Sequence, residues 1–168
     1  AARSVIDRAI KKSGYNPEDI DLIIAAASAA EEFYPSVACR IQEDLIKNSW
    51  AKNAVCFDLR AACAGLLYSM NVARAFIKSG IYKNVLIVAT DNNSRYMDWS
   101  DRSTSILFGD GAGAMVLTAS EDGLDDILSI DIRAKGSIGE FIYKDNVGQN
   151  CPLVEPCKER DGFVHMNG

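Results

Sequence analysis

Cys63 stands where a short apolar run, Ala54-Val55-Cys56-Phe57-Asp58-Leu59, gives way to the longest helical stripe of the chain, and its neighbours are small: Ala61, Ala62, Ala64 and Gly65. A thiol at a helix N-terminus feels unpaired backbone N–H groups and the positive end of the helix dipole, both of which favour thiolate over thiol. The small neighbours leave room for a substrate carbonyl beside the sulfur, and a strand-to-helix turn is where other α/β enzymes present a nucleophile. The chemistry on offer is nucleophilic attack by the sulfur on a substrate carbonyl. The plain alternative is a buried structural cysteine that packs like a small apolar residue.

Other residue patterns carry less. Phe108-Gly109-Asp110-Gly111-Ala112-Gly113-Ala114 invites a phosphate-loop reading, because closely spaced glycines let backbone amides approach an anion. A dinucleotide fingerprint must open a helix, however, and Met115-Val116-Leu117 continues as strand, so a tight glycine-rich turn packed near a site is the expectation. Asp98, Asp101 and Asp110 follow no metal-loop spacing and suit surface or turn-capping roles. His165 is the only histidine, and three residues from the end it is more readily a packed or solvent-facing side chain than a catalyst. Arg102, in Trp99-Ser100-Asp101-Arg102-Ser103-Thr104, is able to bind a phosphate or stack on a base, although a loop arginine is commonly just solvated.

The elements that must position these residues alternate in type. Ala1 to Lys12 is an amphipathic helix ending at Ser13-Gly14, and Asp21 to Ala27 is a continuous apolar run of the kind a strand buried on both faces shows. Ser36 is the N-cap of a helix carrying Val37, Ala38, Ile41 and Leu45, and Ala54 to Leu59 is a second buried strand. From about Cys63 to Ser79 the positions Leu66, Met70, Ala73 and Ile77 recur at helical spacing, and Gly80 supplies a left-handed cap. Asn84 to Thr90 is a third buried strand. Ile106-Leu107 and Ala114 to Thr118 flank the glycine-rich turn, and Ile127 to Arg133 has the pattern of a further strand. The order argues for α/β layers around a mostly parallel sheet with an antiparallel edge.

With 168 residues, 48% hydrophobic, the chain suffices for one domain with a real core. A net charge of −5 without a basic cluster disfavours a nucleic-acid face. The longest apolar runs fall far short of a membrane-spanning helix, which makes a soluble, non-secreted protein the expectation. Five cysteines (Cys39, Cys56, Cys63, Cys151, Cys157) at irregular spacing show no metal-site pattern and read as thiols in a reducing compartment.

Taken together, Phe57-Asp58-Leu59-Arg60-Ala61-Ala62-Cys63-Ala64-Gly65, then Asp101-Arg102-Ser103-Thr104, then Leu107 to Ala114 strongly resemble, in order and spacing, the β-ketoacyl-acyl-carrier-protein synthase III family. The resemblance runs through nearly the whole chain. It implies a thiolase-like α/β fold, one half of a pseudo-symmetric layered α/β/α architecture with a mostly parallel mixed sheet. Residues 1–168 would then be a single N-terminal thiolase-like domain, with the family's first strand and its C-terminal half absent. The implied activity is an acyltransferase that initiates fatty-acid synthesis by condensing acetyl-CoA with malonyl-acyl-carrier protein, without a cofactor or metal, as a homodimer in bacterial cytoplasm or plastid stroma. By position, Cys63 resembles the nucleophile that accepts the acyl group, Arg102 the arginine that contacts the adenine end of CoA, and Phe108 an aromatic wall of the acyl pocket. Tyr34, before Pro35, resembles an aromatic side chain that reaches across the dimer to limit the partner's pocket.

Several positions depart from the family. Its catalytic histidine and asparagine lie in the half this chain lacks, and His165 matches neither. Asp44 to Lys52 is lengthened by a few residues, and Asn92-Asn93 stand where the family is usually apolar near the acyl pocket. Other readings of the residues are another thiolase-fold enzyme, whether a thiolase or a polyketide-type synthase, a non-catalytic dimerisation fragment, and a cysteine hydrolase.

Overall fold

A computed structural model describes residues 2–30, 32, 34–46, 53–144 and 162–167. They divide into two compact units, Ala1–Asp91 with Gly111–Ile132, and Asn92–Asp110 with Arg133–Gly168. Most of the segment Asp44 to Lys52, together with Cys151 and Cys157, lies outside the described residues.

The first unit is built around β1 (Leu22–Ala26), whose five residues are all buried. A run of apolar side chains with no polar alternation is stable only when both strand faces are covered, and here they are. β1 pairs in parallel with β2 (Val55–Leu59) on one side, Leu22 opposite Val55, and with β3 (Asn84–Asn92) on the other, Leu22 opposite Val85. The strand β4 (Asp110–Thr118) completes the order β2-β1-β3-β4. It runs back antiparallel, because Ala119 just past its end donates its backbone N–H to the carbonyl of Lys83, just before β3, at 2.9 Å.

Helices cover the sheet on both faces. Ile6 and Ile10 of α1 (Ala2–Ser13) and Ala38, Ile41 and Leu45 of α2 (Val37–Ile46) pack with Ile23, Ala25, Leu86 and Val88. Ala73, Leu66, Met70 and Ile77 of α3 (Gly65–Lys78) pack with the alternate strand residues Leu22, Ile24, Val85 and Ile87. The period of two along each strand thus feeds two separate apolar layers, giving the α/β/α arrangement expected for a thiolase-like half. Gly14 at φ 77° and Gly80 at φ 74° take up the left-handed conformation that ends α1 and α3. Ser36 caps α2, its hydroxyl accepting the N–H of Cys39 at 3.1 Å.

Two expectations for this unit are corrected. The segment Phe108 to Ala114 is not a glycine-rich turn between strands: Gly111 and Gly113 lie inside β4, and nothing near a side chain built at either explains their identity. Ile127 to Arg133 is not a strand. Asp125 bonds Arg74 Nη2 at 2.5 Å and Lys78 Nζ at 2.6 Å, and its other oxygen accepts the N–H of Ile127 at 3.0 Å, which turns the backbone at the point where a strand would start. Leu128, 92% exposed, finds no layer to pack into.

The second unit is small. Asp101 caps the single turn α4 (Arg102–Ser105) by accepting the N–H of Ser103 at 3.0 Å, and Ile106 and Leu107 follow as an exposed turn instead of a strand. The antiparallel pair β5 (Ile142–Lys144) and β6 (Val164–Met166) places Tyr143 opposite His165.

Candidate functional site

From β1 the chain crosses through α2 to β2 on one side, then through α3 to β3 on the other, so β1 is where the winding reverses. In such sheets ligands gather at the carboxyl ends of the strands beside that reversal. Three segments of the first unit meet this condition: the turn after β2 that carries Cys63, the loop from β1 to α2 that carries Tyr34, and the end of β3 with Asp91.

The turn after β2 is the most constrained. A short 3-10 turn, Ala62–Ala64, leads directly into α3, and Ala62 has φ 45°, the one non-glycine residue in the left-handed region among those described. A side chain there costs of order 1 kcal/mol, and such strain at a strand-to-helix turn lifts the next residue out of the backbone's way. Cys63, that next residue, is an exposed free thiol. Behind it Gly65 is buried, and a Cβ at that position would stand 3.1 Å from the Cβ of Ala26. Glycine lets the start of α3 press closely on β1, and a larger residue would need Ala26 to give by a few tenths of an ångström. The sequence marked Cys63 by its helix-start position, but the left-handed Ala62 carries no sequence signal, since alanine rarely adopts that conformation.

Two carboxylates that no motif singled out for this task hold the β1–α2 loop. Asp91 Oδ1 accepts the backbone N–H of Ser28 at 2.7 Å and of Ala29 at 2.8 Å. Asp58, on β2, accepts those of Val37 and Ala38, each at 2.8 Å, at the first turn of α2. An acidic group satisfies the orphan amides there and complements the helix dipole. Between the two anchors Tyr34 is 85% exposed, and its peptide bond to Pro35 is cis.

Arg102 and Phe108 belong to the second unit. Arg102 is exposed at the first position of α4, and Phe108 is half-buried. Asp98 and Asp101 each accept a serine backbone N–H and hydroxyl two residues ahead, and these bonds draw both carboxyls below the ordinary value. Asp110 binds Ser94 in the same way, through its N–H at 2.8 Å and its hydroxyl at 2.8 Å. The turn-capping expectation holds for Asp98 and Asp101, whereas Asp110, at the start of β4, bonds a serine 16 residues before it. Asn93 Nδ2 donates to the carbonyl of Gly109 at 3.4 Å, which ties down the chain beside Phe108. His165 stacks on Tyr143 with ring centroids 5.1 Å apart, the packed role expected of it.

The remaining described thiols differ from Cys63. Cys39 is exposed on α2, and Cys56 on β2 is half-buried, its thiol pushed up to about 11 by burial and then by the neighbouring Cys39 sulfur. Among the described residues no three His, Cys, Asp or Glu side chains cluster as metal ligands would, and no helix is long and apolar enough to cross a membrane.

Comparison with known proteins agrees with this architecture. Residues 57–136 match the family described as 3-oxoacyl-[acyl-carrier-protein] synthase III. The chain is 46% identical over 138 residues to β-ketoacyl-[acyl-carrier-protein] synthase III 1 of Bacillus cereus, covering 82% of this chain and 43% of the relative. It is 39% identical to the β-ketoacyl-[acyl-carrier-protein] synthase III of Clostridium acetobutylicum, covering 96% of this chain and 48% of that one. The crystal structure of 3-oxoacyl-[acyl-carrier-protein] synthase III from Aquifex aeolicus superposes with a TM-score of 0.82 at 39% identity, over 98% of this chain and 47% of that protein. The chain therefore spans a little under half the length of the relatives it matches.

Proposed function

Since this chain is homologous to the β-ketoacyl-acyl-carrier-protein synthases III, we propose that it supplies the acyl-accepting nucleophile of a condensing enzyme that starts fatty-acid synthesis. In the first step the Cys63 thiolate attacks the thioester carbonyl of acetyl-CoA. The new carbon–sulfur bond to Cys63 forms as the bond to the CoA sulfur breaks, and CoA leaves as its thiol after taking up a proton. Backbone amides of the turn that leads into α3, that of Cys63 among them, stabilise the oxyanion of the tetrahedral intermediate.

In the second step malonyl-acyl-carrier protein loses carbon dioxide, and the resulting carbanion attacks the acetyl carbonyl and displaces the Cys63 sulfur. That step needs donors to the malonyl thioester, and His165, stacked on Tyr143, is not assigned to it. Arg102 is assigned to the adenine end of CoA, Phe108 to the acyl pocket, and Tyr34 to the acyl pocket of a second copy in a homodimer. The exposure of Tyr34 within an anchored loop supports its assignment.

The observation that carries the reading is the exposed Cys63 thiol on a strained strand-to-helix turn. Intact mass spectrometry before and after incubation with acetyl-CoA, with peptide mapping of the adduct, tests it. One acetyl group on Cys63 is expected, and acetylation elsewhere or nowhere overturns the assignment.

A further inference from the structure

We propose that Asp91 is a positioning residue that sets which acyl chains Cys63 accepts, by fixing the exit of β1 and with it the loop that presents Tyr34. The proposal rests on the acyl-transfer reading and deepens it, since the selectivity of the site is assigned to a carboxylate that touches no substrate.

The register of the sheet puts Asp91 in this place. Ala26, the last residue of β1, pairs with Ala89 of β3, and β3 runs on to Asn92. Ser28 and Ala29 therefore leave the ladder level with Asp91, whose Oδ1 takes both of their N–H groups, at 2.7 and 2.8 Å. Ala29 is buried, so its amide could not be left unpaired without a desolvation cost. The same exit lies beside the nucleophile. A Cβ at Gly65 would stand 3.1 Å from the Cβ of Ala26, so the end of β1 touches the start of α3 two residues after Cys63.

Two further holds act on the loop, and they leave the β1 end to Asp91. Glu32 pairs with Arg40 of α2 at 2.6 Å, but both side chains are half exposed, and an exposed ion pair contributes little. Asp58 secures the far root through Val37 and Ala38, on the α2 side of Tyr34. Loss of Asp91 frees the β1 root while the α2 root stays in place. The exposed Tyr34 ring is then no longer held at a fixed distance from the acyl chain it limits in the second copy. A pocket that discriminates against one methylene does so by about 10- to 200-fold, and a wall that gives way loses that discrimination.

The test compares the rates at which acetyl-CoA and hexanoyl-CoA acylate Cys63, read by intact mass spectrometry on the whole protein, in which every copy carries the same substitution. In Asp91→Ala the hexanoyl-to-acetyl ratio is expected to rise about tenfold over the parent. Asp91→Asn, which keeps an oxygen to face both amides, should hold the parent ratio. Tyr34→Ala should raise the ratio by itself, with no further rise when Asp91→Ala is added. A merely structural role makes both acylations fall together at an unchanged ratio, and that result overturns the proposal, as does a rise that adds fully to that of Tyr34→Ala. Where Asp91→Ala does not fold, Asp91→Ser, whose side chain is too short to reach both amides, is read by the same ratio. A parent that takes no acetyl group on Cys63 removes the acyl-transfer reading and this proposal with it, whereas an acetylated parent with an unchanged ratio in the variants removes this proposal alone.

Discussion

Asp91 at the end of β3 accepts the backbone N–H of Ser28 at 2.7 Å, joining residues 63 apart in sequence at the carboxyl edge of the sheet. Because the same oxygen also takes the N–H of Ala29, one carboxylate satisfies two consecutive amides where the chain leaves β1. Hydrogen bonds to a charged acceptor are the stronger kind, and removing the acceptor leaves both donors unpaired. Asp91→Ala is expected to lower unfolding free energy by about 2 kcal/mol, read from urea denaturation. Asp91→Asn, which keeps one acceptor, should lose less.

Cys63→Ser leaves the fold unchanged, because the side chain is exposed and similar in size. Stability within about 0.5 kcal/mol of the parent is expected. Acetyl transfer from acetyl-CoA should fall by several orders of magnitude, since a serine hydroxyl is far less acidic than a thiol and stays protonated at neutral pH. Normal condensation by the full-length variant would contradict the nucleophile assignment.

Gly65→Ala tests the close approach of α3 to β1. The added methyl would meet Ala26, which is 6% exposed in a strand paired on both sides and cannot retreat. The small helical preference of alanine over glycine does not offset this crowding, and a net loss of about 1 kcal/mol is expected. The start of α3 must shift outward, so acetylation of Cys63 should slow more than the stability loss alone would cause. Unchanged acetylation would show that the turn does not depend on this contact.

The thiols should separate by pH. Cys56, raised to about 11, stays protonated at neutral pH, and its labelling by iodoacetamide should rise only toward that higher value. The folded value lies above the ordinary 9.0, so the unfolded chain loses the proton first. Stability from the protonated Cys56 is therefore complete below pH 9.0 and is lost as pH rises through about 11. Urea midpoints across this range should fall less steeply in Cys56→Ala than in the parent.

At the acid end the relevant group is Asp125, held far below the ordinary 3.8 first by its hydrogen bonds from Arg74 and then by Lys78. A depressed folded value means that its contribution is present above 3.8 and is lost as pH falls below it toward the folded value. Asp125→Asn should reduce the stability difference between neutral and strongly acid solution, measured by denaturant titration. An identical acid profile in the variant would remove Asp125 from the list of groups that matter there.

The apolar runs around Ile24 and Ile87 were legible as buried strands because they lack polar alternation, and Ser36, Gly14 and Gly80 marked helix ends by their own chemistry. The run around Phe57 is a strand as expected but not a buried one, its residues being half-buried or exposed at the outer position of the described sheet. Cys63 was legible by its place between two such elements. What stayed hidden depended on distance in the chain. Asp91 and Asp58 find their amides 62 or 63 and 20 or 21 residues away, and no local pattern announces such a bond. Ile127 to Arg133 has the right pattern for a strand, but the hold of Arg74 and Lys78 on Asp125 redirects the backbone before pairing can begin. The left-handed Ala62 is set by the sheet and helix it connects, against the preference of the residue itself.

The loop carrying Tyr34 is gripped at both roots by side chains from the strands on either side of β1. Its attachment is thus written outside its own sequence. Substitutions between the roots can therefore reshape what the loop presents without touching the bonds that secure it, so its surface is free to vary while its attachment is guarded elsewhere.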